Sequence, residues 1–199
     1  KGGWYLSPLN TLGEYASLDS GYPVTAAADP GTARFATPEA AAEGFVEALA
    51  ATVRSRDVAS LAPVVPSGLG AILMTYRAVF NDAFTDMDDD DTIDLSNAEF
   101  TATVDGDRAD IDVVNLAFTV TSYRDEVAVT YESGCFTAVD DDGDREQFCE
   151  DTDSAALDLP LAMEPDTLVR LSAVKSDVGW HIDPGATLLL NDFDLSSAY

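Results

Sequence analysis

The chain has 199 residues, with 37 Asp+Glu against 10 Lys+Arg, a formal net charge of -27 and a pI of about 4.1. That length, with 46% hydrophobic residues, fits one domain with a substantial core and excludes an acidic disordered chain. A polyanionic surface with no basic stripe also excludes nucleic-acid binding and direct docking onto anionic lipid.

In chain order, the first signal is an internal repeat. Residues 2–12 read GGWYLSPLNTL and residues 178–188 read VGWHIDPGATL. They share Gly, Trp, Pro, Thr and Leu, and Leu6 matches Ile182 in kind. Each reads as a short strand ended by a Pro that cannot continue a ladder. The repeat predicts that residues 1–12 hold the closing strand of an upstream domain whose body precedes Lys1, with chance similarity of two Trp-bearing strands as the alternative. Trp4, Tyr5 and Leu6 are too apolar to leave in water, so that strand is expected to lie against the complete domain or to pair with another chain. Residues 13–36 have no sustained period and read as a linker, with a short helical turn near Leu12–Leu18. The complete domain is expected over 37–199.

Thr37-Pro38-Glu39 opens a helix: an N-cap, a residue pre-set for the first helical position, and an acid at the positive end of the dipole. Phe45, Val46, Leu49 and Val53 form its apolar stripe. The helix should fade near Arg56. Asp57 caps a second short helix, Val58 to about Val64, stopped by Pro66. A third helix is expected from Ser67 to Phe84, on the apolar spacing of Leu69, Ile72, Leu73, Tyr76, Val79, Phe80, Ala83 and Phe84. The acidic run Asp86 to Asp91 opposes the dipole and ends it.

The period then changes to two. Phe100, Ala102 and Val104 precede the turn Asp105-Gly106-Asp107, and Ala109, Ile111 and Val113 follow it. The phase slips to Val114, Leu116, Phe118 and Val120, which predicts a β-bulge near Val113-Val114. Val127, Val129 and Tyr131 continue the meander. A polar excursion spans Glu150–Pro165, and strands near Leu168–Val174 and Gly179–Asp183 close the domain.

Cys135 and Cys149 lie the same number of residues either side of Asp142. In an antiparallel hairpin such residues face each other, close enough for a disulfide. Closing a loop of about 15 residues constrains the unfolded chain by about 3 kcal/mol. With no C-x-x-C and one His, a zinc site is not expected. A structural disulfide implies an oxidising compartment. The chain starts at Lys1-Gly2-Gly3 without Met or an apolar run of membrane length, and reads as part of a longer protein. The expected setting is extracytoplasmic, secreted or anchored to the envelope through a missing N-terminal region.

The run TPEAAAEGFVEALAA, then RDVASLAPVV, then the terminal strand VGWHIDP, resembles the NTF2-like superfamily, an α+β cone. The resemblance covers roughly residues 37–184. It extends to the tandem extracytoplasmic modules of actinobacterial envelope proteins. It implies N-terminal helices packed on a curved antiparallel sheet, enclosing a cavity. Enzymes of this superfamily, such as ketosteroid isomerase and polyketide cyclases, place an Asp, His or Tyr there as base or oxyanion donor.

The candidates for lining such a cavity are Tyr76, Phe80, Phe118, Tyr123 and His181. His181 alternates with Trp180 and Ile182, so it is expected exposed if those two face the helices. Asn81 and Asp82 sit at the edge of the third helix's apolar face. No G-x-S-x-G, P-loop, H-E-x-x-H or G-x-G-x-x-G occurs. Asp140, Asp142 and Asp144 form an alternating oxygen-rich turn, a candidate Ca²⁺ site, but Gly143 is misplaced for an EF-hand and no bidentate Glu follows. Three readings stay open. The leading one is a non-catalytic module that binds a small apolar ligand or a protein partner beside an upstream domain of the same polypeptide. The others are a small-molecule enzyme, isomerase- or cyclase-like, and a cation-dependent structural or adhesive module.

Overall fold

The computed structural model describes residues 8–25, 31–85, 87–88, 90–122, 125–149, 170–185 and 187. Helices come first and strands follow. They are α1 (Pro8–Ser20), α2 (Pro38–Ser55), a 3-10 turn (Val58–Ser60), α3 (Ser67–Thr75) and α4 (Arg77–Asp82). The strands are β1 (Thr92–Asp105), β2 (Arg108–Ser122), β3 (Asp125–Glu132), β4 (Cys135–Val139), β5 (Arg145–Cys149), β6 (Arg170–Ser176) and β7 (Gly179–Ile182). The architecture is α+β, with one curved, seven-stranded antiparallel sheet.

β2 organises that sheet. β1 pairs along one edge for almost the whole of it, from Asp105↔Arg108 to Thr92↔Thr121. Its other edge is divided: β6 takes Arg108–Asp112 and β3 takes Asn115–Ser122. Two bulges bend the long hairpin. Ser96 is the extra residue on β1, between Leu95 and Asn97, and Val114 is the extra residue on β2, between Val113 and Asn115. The second is the bulge that the phase slip predicts. It keeps Val113 and then Leu116 and Phe118 in the same cluster. A bulged strand bends and twists, which is how a sheet this long curves around a helix.

α2 occupies the hollow of that curve. Thr37 is its N-cap, its side chain accepting from the Ala40 amide at 3.2 Å. Arg56 ends it in a left-handed conformation, φ 54°. Ala41 and Ala42 are fully buried against the sheet. Small residues there bring the helix axis close to the strands.

Residues 33–36 carry the chain from α1 into α2 along the free side of β7. Phe35 forms a bridge with Trp180, whose amide donates to the Phe35 carbonyl at 3.0 Å. Two glycines make room for it. A Cβ on Gly44 would stand 2.4 Å from the Phe35 ring, and one on Gly179 would stand 2.6 Å from the Phe35 carbonyl oxygen.

The third helix differs from its expected single span. It breaks at Tyr76, whose φ of -107° and ψ of 26° interrupt the helix between α3 and α4. The Thr75 carbonyl accepts instead from the Thr25 amide at 3.0 Å. Tyr76 is buried, with its ring so close to α1 that a Cβ on Gly13 would lie 2.6 Å from it. Residues 13–20, expected as linker with a brief helical turn, thus belong to a packed helix. α1 begins at Pro8, so a closing-strand reading of 1–12 applies only to residues 1–7, which lie outside the described residues, as do the excursion 150–169 and the tail 188–199.

Asp57 ties the helices together. Its carboxylate caps the 3-10 turn, accepting from the Ala59 amide at 3.0 Å, and takes both Arg77 Nε (2.6 Å) and Arg77 Nη2 from α4. Asn81 closes the network, donating to Asp57 and accepting from the Val58 amide at 2.9 Å. The Arg77 guanidinium holds the Asp57 carboxyl below its ordinary value. Its contribution is therefore complete above the ordinary pKa of 3.8 and is lost as pH falls toward the lowered folded value. Asp57→Ala is expected to cost about 1–2 kcal/mol, a fall in Tm of roughly 3–6 °C at neutral pH. Thermal unfolding followed by circular dichroism measures it, and an unchanged Tm would remove this network from the account.

Candidate functional site

In the fold class that the sequence suggests, the place to look is the helix-facing side of the sheet. Here that side is packed. Phe100, Ile111, Val129, Trp180 and Ile182 meet Ala41 and Ala42 in one buried cluster, with Phe45, Leu116 and Phe118 against it. Tyr131 and Phe136 pack at a tilt across β3 and β4, centroids 4.7 Å apart. Among the described residues no Asp or Glu is buried. A general base tuned by burial, the usual device for proton abstraction near neutrality, has no carboxylate to work with on these residues.

The four candidate lining residues that are described do not converge. Phe118 is in the cluster just described. Tyr76 is buried against α1, and Phe80 sits half-buried on α4. Tyr123 lies outside the described residues. His181 is on the opposite face of β7 from Trp180 and Ile182, as alternation requires. The expectation that it would then be exposed is wrong: it is 3% exposed. Alternation fixes which face a side chain takes, and not what lies over that face. Ser172, on the same outer face of β6, is buried too. The chain after β7 returns to that end of β6, where the Ser172 amide donates to Thr187 Oγ1 at 3.0 Å.

His181 Nε2 lies 3.1 Å from Ser176 Oγ, and its Nδ1 is buried without a hydrogen-bond partner. Burial pushes its pKa below 6.5. The unfolded chain binds a proton there at about 6.5 and the folded chain does not, so stability is complete above that value and falls as pH drops through it. His181 is the only histidine. Between about pH 7 and about pH 5 the protein is expected to lose more stability than His181→Gln, in which the position cannot protonate. Denaturant unfolding at both pH values tests this, and parallel losses in the two proteins would contradict it.

Of Asn81 and Asp82, expected at a solvent edge, Asp82 is exposed and Asn81 is half-buried, and both are hydrogen-bonded. Asn81 serves the Asp57 network, and Asp82 accepts a hydrogen bond from the Tyr22 hydroxyl. Asp140, Asp142 and Asp144 occupy the exposed turn between β4 and β5. Asp140 Oδ1 accepts from the Asp144 amide at 2.8 Å, so this carboxylate braces its own turn. Among the described residues no group of three His, Cys, Asp or Glu side chains gathers to hold a metal ion.

Cys135 and Cys149 are directly paired across β4 and β5, with Cα atoms 4.0 Å apart, and are joined by a disulfide. No helix among the described residues is long and apolar enough to cross a membrane.

Two open recesses among the described residues flank the sheet. One, of about 320 Å³, lies between Glu43 and Glu47 of α2 and the bulged stretch Leu95–Ala98. The other, of about 350 Å³, lies between residues 34–36 and the β6–β7 turn. Neither is anticipated from the sequence, but the second left a trace in it. Its signal was two of the chain's few cations, Arg34 and Lys175, far apart in sequence and beside aromatic residues.

No protein-family model, no curated protein and no solved structure matches the chain.

Proposed function

We propose that the chain is a non-catalytic, extracytoplasmic module of the NTF2-like type, working by binding a ligand or a protein partner. The observation that carries this reading is the packed helix-facing side of the sheet. Phe100, Ile111, Val129 and Ile182 fill that side, and no Asp or Glu among the described residues is buried there. The helices-then-sheet order, the bulged β1–β2 hairpin and the helix in the hollow are compatible with a cone-like α+β fold of that type. The cross-strand disulfide supports an oxidising compartment. The charge of -27 suits an exported surface that stays soluble and avoids anionic partners.

The isomerase or cyclase reading makes an opposite demand, an acid or base able to move a proton next to a carbonyl. Exchange of the α-protons of enolisable ketones in heavy water, followed by NMR, is expected to proceed at the buffer rate with the protein present. Exchange accelerated in proportion to added protein would overturn the non-catalytic reading.

A further inference from the structure

We propose that the recess between residues 34–36 and the β6–β7 turn binds a small apolar molecule that ends in a carboxylate. The proposal goes beyond the module reading, because it concerns a particular ligand class at a particular place and holds in any compartment.

The first argument is charge. Arg34, Lys175 and Asp177 line this recess, a local balance of +1 on a chain of net charge -27. Among the described residues neither Arg34 nor Lys175 is ion-paired. Acids outnumber bases 37 to 10 in this chain. Two cations against the single carboxylate of Asp177 on one recess, neither ion-paired among the described residues, are therefore a local reversal of the surface. A monoanion neutralises the excess.

The second argument is shape and surface. Lys175 Nζ stands 5.6 Å from the centre of the Trp180 ring, a cation–π contact that fixes the ammonium at the recess, while the ring itself is buried in the core. The half-buried Phe35 and the exposed Val178 supply the apolar lining. About 350 Å³ is at the small end of ligand pockets, which suits an aryl-alkanoic acid rather than a larger molecule.

The third argument is rigidity. The turn is braced by Ser176 Oγ, which accepts from the Val178 amide at 3.3 Å and donates to the Gly179 carbonyl at 3.2 Å. The Phe35–Trp180 bridge fixes the opposite wall. Walls already in place reduce the ordering cost of binding.

Size also selects against macromolecular anions. At physiological salt the Debye length is about 8 Å, so a small ligand feels the local cations, whereas a nucleic acid or acidic protein meets the whole negative surface.

The test uses the full chain, hydrocinnamate as the acid, and hydrocinnamyl alcohol as its neutral counterpart, with amide chemical shifts as readout. Saturable shifts centred on residues 34–36 and 175–180 are expected, with a Kd of about 0.1–1 mM. The alcohol, and the acid with Arg34→Gln or Lys175→Gln, should each bind at least about fivefold more weakly. Both substitutions are at exposed positions, and the spectrum of each variant reports its fold. No saturation by about 10 mM acid, shifts centred elsewhere, or equal binding of acid and alcohol would overturn the proposal.

Discussion

Gly179→Ala is expected to lower the unfolding free energy by about 3–4 kcal/mol, a fall in Tm of roughly 10 °C. Two costs add. Gly179 has a φ of 137°, a region that side-chain-bearing residues rarely adopt, and a Cβ there would lie 2.6 Å from the Phe35 carbonyl oxygen and 3.1 Å from its nitrogen. Relieving the clash pushes the Phe35 segment off β7 and breaks the Trp180 amide bond to Phe35. Gly106 supplies the control. It too has a positive φ, 63°, but nothing within 4 Å of a Cβ, so Gly106→Ala should cost only about 1 kcal/mol. Denaturant unfolding of both variants compares a positive-φ glycine in open space with one pressed against Phe35. Equal losses would mean that the approach of Phe35 to β7 contributes nothing.

The second large effect is at the disulfide. Cys135 and Cys149 are separated by 14 residues and close the β4–β5 hairpin at the far end of the sheet from β7. Reduction, or the paired change Cys135→Ser with Cys149→Ser, is expected to cost about 3 kcal/mol through the freedom returned to the unfolded chain. The fall in Tm should be roughly 6–12 °C. The serine pair should be indifferent to reductant. A protein with the same Tm oxidised and reduced would show that the cross-link constrains nothing.

What was legible in the sequence was local. Thr37 and Pro38 mark the start of α2 because capping depends on neighbouring residues alone. The equal distance of the two cysteines from Asp142 gives the register of their hairpin, since a hairpin's pairing follows from its turn. The phase slip at Val113-Val114 shows the bulge because strand alternation records it residue by residue.

What was not legible depends on partners distant in the chain. The spacing of Leu69 to Phe84 suits one continuous helix. The break at Tyr76 goes with its packing against Gly13 and with a hydrogen bond between Thr25 and Thr75. Alternation sets His181 opposite Trp180 and Ile182 on β7, but its burial belongs to the outer side of the sheet, which alternation does not describe. The recess formed by Arg34 and Lys175 exists only because residue 35 pairs with residue 180. For the candidate site the lesson is sharper. Tyr76, Phe118 and His181 each have plausible chemistry, yet packing distributes them to a helix interface, the core and the far side of the sheet.

Trapping the thiols inside intact source cells before lysis tests the central claim most directly. If the chain is an exported, disulfide-closed module, Cys135 and Cys149 will be recovered joined and unlabelled, in protein outside the cytosolic fraction. Labelled free thiols at both positions, in cytosolic protein, would contradict it.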